Sequence, residues 1–332
     1  MIDFNLLHKL LLEHNSFLIT THVNPDADAI GSEIALYLVL KILGKKVYII
    51  NYNETPYNLA FLDTEIVIEQ YNSLKHDPIL NSVDAIVCVD FNRADRTVKM
   101  KKALLQSPAT KIIIDHHQEP EEFADHLFID IVYSATGEII YDFIKKTNIV
   151  KLSYDIVYPL YAAIMTDTGS FRFERTTPKL HRMIAEMLEF GVVPGEVYNK
   201  IYDESKFSKL KLLGRTLDTM RLSGKNQNVG YMVLTQKDFE DTGAVESDTD
   251  GFVNFALSVE NVTVGILFLE LKEGFKISFR SKGNIPVNKL AGAYGGGGHT
   301  NAAGARFFNK KLFDLLPEVL IKASVYADME GI

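Results

Sequence analysis

The chain has 332 residues, of which 47% are hydrophobic, and a formal net charge of −8 at pH 7. This length exceeds the usual size of one domain, so we expect two domains with separate cores. The acidic balance argues against a broad basic surface for long nucleic acids. Small phosphates remain compatible with it, because bound divalent cations can make one site locally positive on an acidic protein.

The sequence shows no secretory or membrane-spanning pattern. Residues 1–9 lack the basic start and apolar run of a signal peptide, and the longest apolar stretch, residues 34–43, is interrupted by Lys41. Cys88 is the single cysteine and lies in the apolar run 85–89, where a buried, inert thiol is expected. We therefore expect a cytoplasmic, disulfide-free protein with no membrane partner.

Alternating strand-like and helical runs in the first half predict a parallel sheet covered by helices. Strands are predicted at residues 16–21, 46–51, 65–69, 84–90 and 111–115. Helices are predicted at residues 3–13, 30–43, 94–105, 136–146, 154–165 and 178–190. The fold class that follows is α/β, with a doubly wound, mainly parallel N-terminal sheet.

The second half predicts a smaller α/β domain. Helices at 194–202 and 206–221 lead to the polar stretch 223–228, which is interpreted as the end of an interdomain connection. Further strands are predicted at 229–235, 263–271 and 276–280, and further helices at 250–259, 287–293 and 312–327. The predicted domains are therefore residues 1–190 and 229–332, joined by a helical linker at 191–228.

Acidic and histidine side chains follow three of the predicted strands. They are His22, Asp26 and Asp28 after the first strand, Asp90 after the fourth, and Asp115, His116 and His117 at the end of the fifth; Asp167 ends an apolar helix. Taken alone, each group is commonly a helix cap or a surface feature rather than a metal site. In doubly wound folds, however, the carboxyl edge of the sheet is where ligands bind. So many uncompensated carboxylates at one apolar edge indicate a neutralising cation.

The mixture of aspartate and histidine favours manganese as that cation. Calcium prefers oxygen ligands alone, and structural zinc usually recruits cysteine, while magnesium, cobalt and zinc remain alternatives. If one carboxylate bridges two ions, water held between them becomes hydroxide at neutral pH and can attack phosphorus in line.

The second predicted domain offers groups suited to an anion. Arg280 and Ser281 end a strand, and Gly295, Gly296, Gly297 and Gly298 precede His299. A flexible linker is the plain interpretation of four glycines, but their place between a predicted helix and a predicted strand favours a phosphate or carboxylate cradle. Arg280 is either a surface charge or a bidentate anion clamp.

The ordered set from His22 to Asp167, followed by the glycine run and His299, resembles the DHH phosphoesterase superfamily. The resemblance covers nearly the whole chain and is specific to the stand-alone nanoRNase and pAp-phosphatase branch. It implies that residues 1–190 are the DHH catalytic, metal-binding domain. It also implies that residues 229–332 are the DHH-associated substrate-binding domain, with the active site between the two.

The resemblance also implies a role for each residue of the set. His22, Asp26 and Asp90 correspond to ligands of a first ion, and Asp28, Asp90, His116 and Asp167 to ligands of a second, so that Asp90 bridges. His117 is expected beside the substrate phosphate, where it orients the phosphate or protonates the leaving oxygen, and Asp115 is expected to orient a ligand histidine. The substrate-binding groups of the second domain are Arg280, Ser281, Gly296, Gly297, Gly298 and His299.

The function expected from this resemblance is hydrolysis of oligoribonucleotides of two to five nucleotides, of pApA, and of pAp to mononucleotides. Hydrolysis of cyclic di-AMP is an alternative for the same centre. A RecJ-like single-strand exonuclease is disfavoured by the lack of room for another nucleic-acid domain and by the acidic charge. A family II pyrophosphatase is disfavoured by the glycine run with His299, and a nucleotide sensor by the full ligand set. A homodimer is common for enzymes of this size.

Overall fold

The protein, described here by a computed structural model over residues 2–328, divides into two compact units, the first ending at Glu204 and the second beginning at Ser205. Met1 and residues 329–332, which belong to the two predicted domains, lie outside the described residues. Within residues 2–328, no helix combines the length and apolar character needed to cross a membrane.

The first unit is built on six strands and eight helices among its described residues. The strands are β1 (Ser16–Thr20), β2 (Lys46–Asn51), β3 (Ile68–Gln70), β4 (Ala85–Val89), β5 (Thr110–Asp115) and β6 (His126–Ile129). The helices are α1 (Phe4–Glu13), α2 (Ala27–Ile42), α3 (Ser73–Leu80), α4 (Lys101–Gln106), α5 (Thr136–Thr147), α6 (Tyr154–Asp167), α7 (Pro178–Glu189) and α8 (Pro194–Tyr198). Short 3-10 segments at Tyr57–Leu62 and Ala94–Met100, and a π-helical turn at Asn199–Asp203, complete it.

The six strands form one parallel sheet in the order β3-β2-β1-β4-β5-β6. Alternate residues of a strand face opposite sides, so Phe17 and Ile19 of β1 enter one core and Leu18 enters another. Helices α1, α2 and α5–α7 supply the first core, and α3 and α4 the second. The predicted doubly wound fold is thereby confirmed, and Cys88 is buried in the second core, where burial raises the pKa of its thiol.

The second unit has its own six-stranded sheet. Its strands are β7 (Arg221–Ser223), β8 (Val229–Leu234), β9 (Val264–Leu271), β10 (Gly274–Ser281), β11 (Gly297–His299) and β12 (Ala302–Phe307). Its helices are α9 (Phe207–Asp218), α10 (Gln236–Thr242), α11 (Val253–Leu257), α12 (Val287–Gly292) and α13 (Leu312–Ala327), with a 3-10 turn at Glu246–Thr249. The order is β11-β12-β10-β9-β8-β7, parallel between β8 and β9 and antiparallel elsewhere. The predicted second α/β unit is confirmed.

Several predicted elements differ from the structure. Residues 223–228 do not end an interdomain connection, because β7 pairs with β8 across them and the second sheet therefore begins at Arg221. The predicted strand 65–69 is β3, which begins only at Ile68, and α2 begins at Ala27 rather than at residue 30. The elements β6, β11, α3 and α10 were not predicted, and α3 contains Pro78; β12 is the strand that was expected after the glycine run without a stated range.

Candidate metal centre

The acidic and histidine groups of the first unit lie at the carboxyl edge of its sheet. Strands β1 and β4 are neighbours although two strands separate them in sequence, so the strand order reverses between them. The crevice at such a point is the usual ligand site of an open α/β sheet. His22 follows β1, Asp90 follows β4, and His116 follows β5 on the far side of β4.

Asp26 and Asp28 are tied to two helix N-termini. Asp26 is the N-cap of α2, where its Oδ1 accepts hydrogen bonds from the backbone N–H groups of Asp28 (3.0 Å) and Ala29 (3.1 Å). Asp28 therefore lies in the first helical turn and not in a loop, and its side chain is fully buried. Its carboxylate accepts the first N–H groups of α5, from Thr136 at 2.7 Å and Gly137 at 2.9 Å.

Asp90 occupies the middle of the cluster. Its φ of 64° is in the left-handed region, which aspartate tolerates better than most residues, and its N–H donates to the Ile114 carbonyl of β5 at 3.0 Å. Oδ2 lies 3.3 Å from Nε2 of His22, whereas Oδ1 lies 3.5 Å from Nε2 of His116. The two carboxylate oxygens of Asp90 thus face two different histidines.

His116 lies close to the carboxylates of Asp167 and Asp28. Its Nε2 lies 3.2 Å from Oδ2 of Asp167 at the end of α6 and 3.7 Å from Oδ2 of Asp28. Both His116 and Asp28 are buried, while the Asp167 side chain is 23% exposed. The ring edge of His116 meets the ring of His117 with 4.7 Å between the centroids.

Burial and mutual repulsion perturb these groups strongly. Desolvation and the negative charge of Asp167 raise the pKa of Asp28 to about 7. Desolvation and the charges of four neighbouring aspartates raise the pKa of Asp90 well above its ordinary value. Burial, together with the positive charge of Arg96, lowers the pKa of His22 to about 4. A divalent cation beside these carboxylates would favour their ionised form, and the neutral imidazole of His22 is the form that binds a metal.

Within the first unit, three groups of side chains, one of them Asp90, Asp115 and His117, each bring ligand atoms close enough together to hold a divalent metal ion. One atom from each of His22, Asp26 and Asp90 lies within 4.8 Å of the others, and the same holds for Asp28, His116 and Asp167. The structure therefore brings together all six side chains that the sequence singled out as metal ligands. Oδ2 of Asp115 is also buried and accepts no hydrogen bond from any residue in the range 2–328, which leaves a negative atom in need of a partner.

Asp115 is hydrogen-bonded to His117. Its Oδ1 lies 2.6 Å from Nδ1 of His117, and its expected role of orienting a ligand histidine stays a prediction. Burial opposes ionisation of Asp115, but the hydrogen bond and charge of His117 outweigh it and hold the pKa of Asp115 below its ordinary value. The pair Asp115–His117 is therefore a carboxylate–imidazole dyad beside the cluster.

Three further residues shape the site and were not singled out from the sequence. The Asn92 amide donates to the carbonyls of His117 (3.1 Å) and Gln118 (3.2 Å), which fixes the backbone after β5. The Thr136 hydroxyl donates to Oδ1 of Asp90 at 2.9 Å. Nε of Arg96 is buried and donates no hydrogen bond to any described residue. Proximity to Asp90, at two and six residues along the chain, is the sequence signal that could have drawn attention to Asn92 and Arg96.

In the second unit, Arg280 and Ser281 end β10 as expected, but the Ser281 hydroxyl is already engaged. It donates to the Ile285 carbonyl at 2.7 Å and accepts from the Asn301 amide at 3.0 Å. Asn301, which was not predicted, also donates to the Gly283 carbonyl at 2.7 Å. These bonds close the loop after β10, so Ser281 has a structural role in the second unit.

The glycine run is not a loop between a helix and a strand. Gly297 and Gly298 lie in β11, which pairs with β12 and ends at His299. A side chain would not fit at two positions, because a Cβ at Gly296 would lie 2.1 Å from the Gly304 carbonyl oxygen and one at Gly298 would lie 2.4 Å from that of Ala302. Close approach of two strands therefore accounts for Gly296 and Gly298, whatever ligand the run contacts.

Comparison with known proteins identifies both units. The DHH family, N-terminal domain, matches residues 16–164, and the DHHA1 domain matches residues 226–323. The "bifunctional oligoribonuclease and PAP phosphatase NrnA" of Thermus thermophilus is 35% identical, over 86% of this chain and 82% of that protein. The Bacillus subtilis protein of the same name is 28% identical, over 89% and 90%.

A solved structure gives the same result. The exopolyphosphatase-related protein from Bacteroides fragilis shares 31% sequence identity, covers 98% of this chain and 97% of its own, and has a TM-score of 0.89. The resemblance inferred from the order of the motifs is thus confirmed. The chain belongs to the DHH family, in the branch that carries a DHHA1 domain, and is a phosphoric ester hydrolase.

Proposed function

We propose that the protein hydrolyses short oligoribonucleotides of two to five nucleotides, the linear dinucleotide pApA, and pAp, releasing mononucleotides. The names of the Thermus thermophilus and Bacillus subtilis relatives support short oligoribonucleotides and pAp as substrates. The observation that carries the proposal is the pair of adjacent ligand sets joined by Asp90, whose two oxygens face His22 and His116. Residues 1–190 act as the catalytic domain and residues 229–332 as the substrate-binding domain.

Two divalent ions fit these ligand sets. His22, Asp26 and Asp90 hold the first, and Asp28, Asp90, His116 and Asp167 hold the second. The fit is supported by the buried carboxylates, because burial and the like charges around them raise the pKa values of Asp28 and Asp90, and a bound cation would offset both effects. When bound, such ions supply hydroxide at neutral pH and neutralise charge on the phosphoryl oxygens. Manganese suits the mixed oxygen and imidazole ligands.

Two side chains of the protein supply a proton for the leaving oxygen and a positive charge for the substrate phosphate. His117, oriented by Asp115 through Nδ1, presents its Nε2 to the leaving oxygen and protonates it. Arg96 carries a charge near His22, and its buried Nε donates no hydrogen bond to a residue in the range 2–328, so this N–H is available for a substrate phosphate.

Arg280, Ser281, Gly296, Gly297, Gly298 and His299 bind the nucleotide in this proposal. A substrate site between the two domains and a cytoplasmic location stay predictions. The matched DHHA1 domain, which contains all six residues, supports the assignment of substrate binding to the second unit.

The test is a four-substrate assay with purified protein and manganese. pAp, pApA, RNA of increasing length and cyclic di-AMP are incubated with the wild type and with Asp90→Asn, and mononucleotide release is measured. The proposal expects turnover of pAp, pApA and the shortest RNA, decreasing with RNA length, and none with the variant. Inactivity on the first three substrates would refute it, and a preference for cyclic di-AMP would establish the alternative.

A further inference from the structure

Thr136 joins two carboxylates from different parts of the chain, Asp28 in the first turn of α2 and Asp90 directly after β4. It is the first residue of α5 and is fully buried. Its backbone N–H donates to Oδ2 of Asp28 at 2.7 Å, and its hydroxyl donates to Oδ1 of Asp90 at 2.9 Å. One residue thus holds a member of each ligand set.

The hydroxyl bond selects one oxygen of Asp90. Oδ1 faces both Thr136 and Nε2 of His116, while Oδ2 faces Nε2 of His22 at 3.3 Å. Rotation of the carboxylate about its last torsion would move both oxygens away from these partners. That torsion is broad for aspartate, so an external donor is needed to hold it at one angle.

The donor itself is held rigidly. Gly137 packs so closely against α6 that a Cβ there would lie 2.7 Å from the Cβ of Ala163. Helix α6 also carries Asp167, so the start of α5 is fixed relative to the helix that supplies another ligand. Asp28 accepts both Thr136 N–H and Gly137 N–H, which anchors this helix start a second time.

We propose that Thr136 is a positioning residue for the metal pair: its hydroxyl holds the Asp90 carboxylate in the orientation that lets each oxygen bind one divalent ion. This inference rests on the proposed two-ion function. Residues that orient a metal ligand typically change metal affinity by about 10- to 100-fold when they are removed.

Manganese titration, followed by calorimetry and by the electron paramagnetic resonance signal of free Mn²⁺, tests the proposal without measuring turnover. Thr136→Val removes the hydroxyl at nearly constant volume and is expected to weaken binding of at least one ion about 10-fold or more. Thr136→Ser keeps the hydroxyl and is expected to stay within about threefold of the wild type. Thr216→Val is the matched control, because Thr216 is equally buried but donates to the Leu212 carbonyl in α9.

The outcomes separate this inference from the proposed function. A wild-type protein that binds no pair of ions would refute both. If the wild type binds two ions and Thr136→Val binds them with the same affinity, only the positioning role is wrong. Thr136→Ala decides the question if the valine variant does not fold, because alanine places no methyl group beside the Asp90 carboxylate.

Discussion

Nδ1 of His117 lies 2.6 Å from Oδ1 of Asp115, a fully buried carboxylate at the end of β5. Because the pKa of Asp115 is held below its ordinary value, this group is ionised at neutral pH and accepts a hydrogen bond from Nδ1–H of His117. The ring of His117 is thereby fixed in one tautomer, with Nε2 directed away from Asp115. The same arrangement orients catalytic histidines on unrelated folds.

Replacing Asp115 by asparagine should slow the chemical step. The variant loses the negative charge that orients and stabilises the His117 ring, so we expect kcat to fall about 10- to 100-fold with little change in KM. Steady-state kinetics on pAp measures both. Asp84→Asn is the control, since Asp84 also accepts backbone N–H groups, from Asn15 and Ser16, but lies before β4 at the opposite edge of the sheet. Equal kcat values for Asp115→Asn and the wild type would contradict the dyad.

Replacing Asp90 by asparagine should separate stability from activity. Asparagine tolerates the left-handed φ of 64° and removes a carboxylate whose pKa burial and repulsion raise well above its ordinary value. Because the unfolded chain releases this proton at a lower pH than the native state does, Asp90 lowers the stability of the wild type as pH rises, so metal-free Asp90→Asn should melt at a higher temperature than metal-free wild type near pH 8. Turnover should fall at least about 1,000-fold.

Thermal melting with a chelator and with added Mn²⁺ checks both parts of this prediction. Manganese at about 100 times its Kd should stabilise the wild type by about 2.7 kcal/mol and the variant by less. An Asp90→Asn protein that retained the full manganese shift would show that Asp90 does not bridge the ions.

Glu33, which lies outside the metal centre, should make the stability of the protein depend on pH. Its side chain is fully buried in α2, accepts a hydrogen bond from the Asn51 amide at 2.8 Å, and has a pKa raised by burial from 4.5 to about 8. Between these two values the unfolded chain releases a proton that the native state keeps. The contribution of Glu33 is therefore fully present below pH 4.5 and is lost as pH rises toward 8.

Glu33→Gln should flatten this dependence. Glutamine stays neutral, so the free energy of unfolding should fall less between about pH 5 and about pH 8 in the variant, by an amount on the order of a few kcal/mol. Urea unfolding in the presence of a chelator measures it. The other carboxylates are the same in both proteins, so parallel stability profiles would mean that Glu33 does not titrate in this window.

Arg96 and Arg93 form a matched pair for substrate binding. Arg96→Gln should raise KM about 10- to 100-fold, and should raise the inhibition constant of inorganic phosphate similarly, because a charged hydrogen bond to phosphate is lost. Arg93→Gln should change KM less than about twofold, since Arg93 is half exposed and lies 3.4 Å from Asp95. Unchanged manganese affinity in Arg96→Gln would assign the effect to substrate, whereas an unchanged KM would contradict the role.

The parts of the fold and site that could be predicted are those with a strong local signal. Strands β1, β4 and β5 each contain an apolar run and lead into an acid or a histidine within two residues, so their carboxyl edge could be found from the sequence. The gathering of His22, Asp90 and His116 follows because parallel strands share that edge.

The hydrogen bonds around these groups could not be predicted in the same way. Thr136 and Asp28 are 108 residues apart, and their contact depends on where the start of α5 docks against the sheet and α6. Asp115 has two histidines beside it in sequence, and only the course of the backbone, which Asn92 fixes, brings His117 rather than His116 to it. The glycine run indicated an anion cradle, but β11 is too short to show the alternation that marks a strand.

The ligand sets draw on the ends of β1, β4 and β5, the first turn of α2 and the last residue of α6. Asp167 also lies just beyond the part of the chain that matches the DHH family, residues 16–164. A shortened protein stopping at that boundary would keep the entire sheet but would lose Asp167, one of the proposed ligands of the second ion. In the two-ion proposal, manganese uptake is therefore a readout for the completed assembly of the first unit, and it should follow the docking of α6 during refolding rather than initiate it.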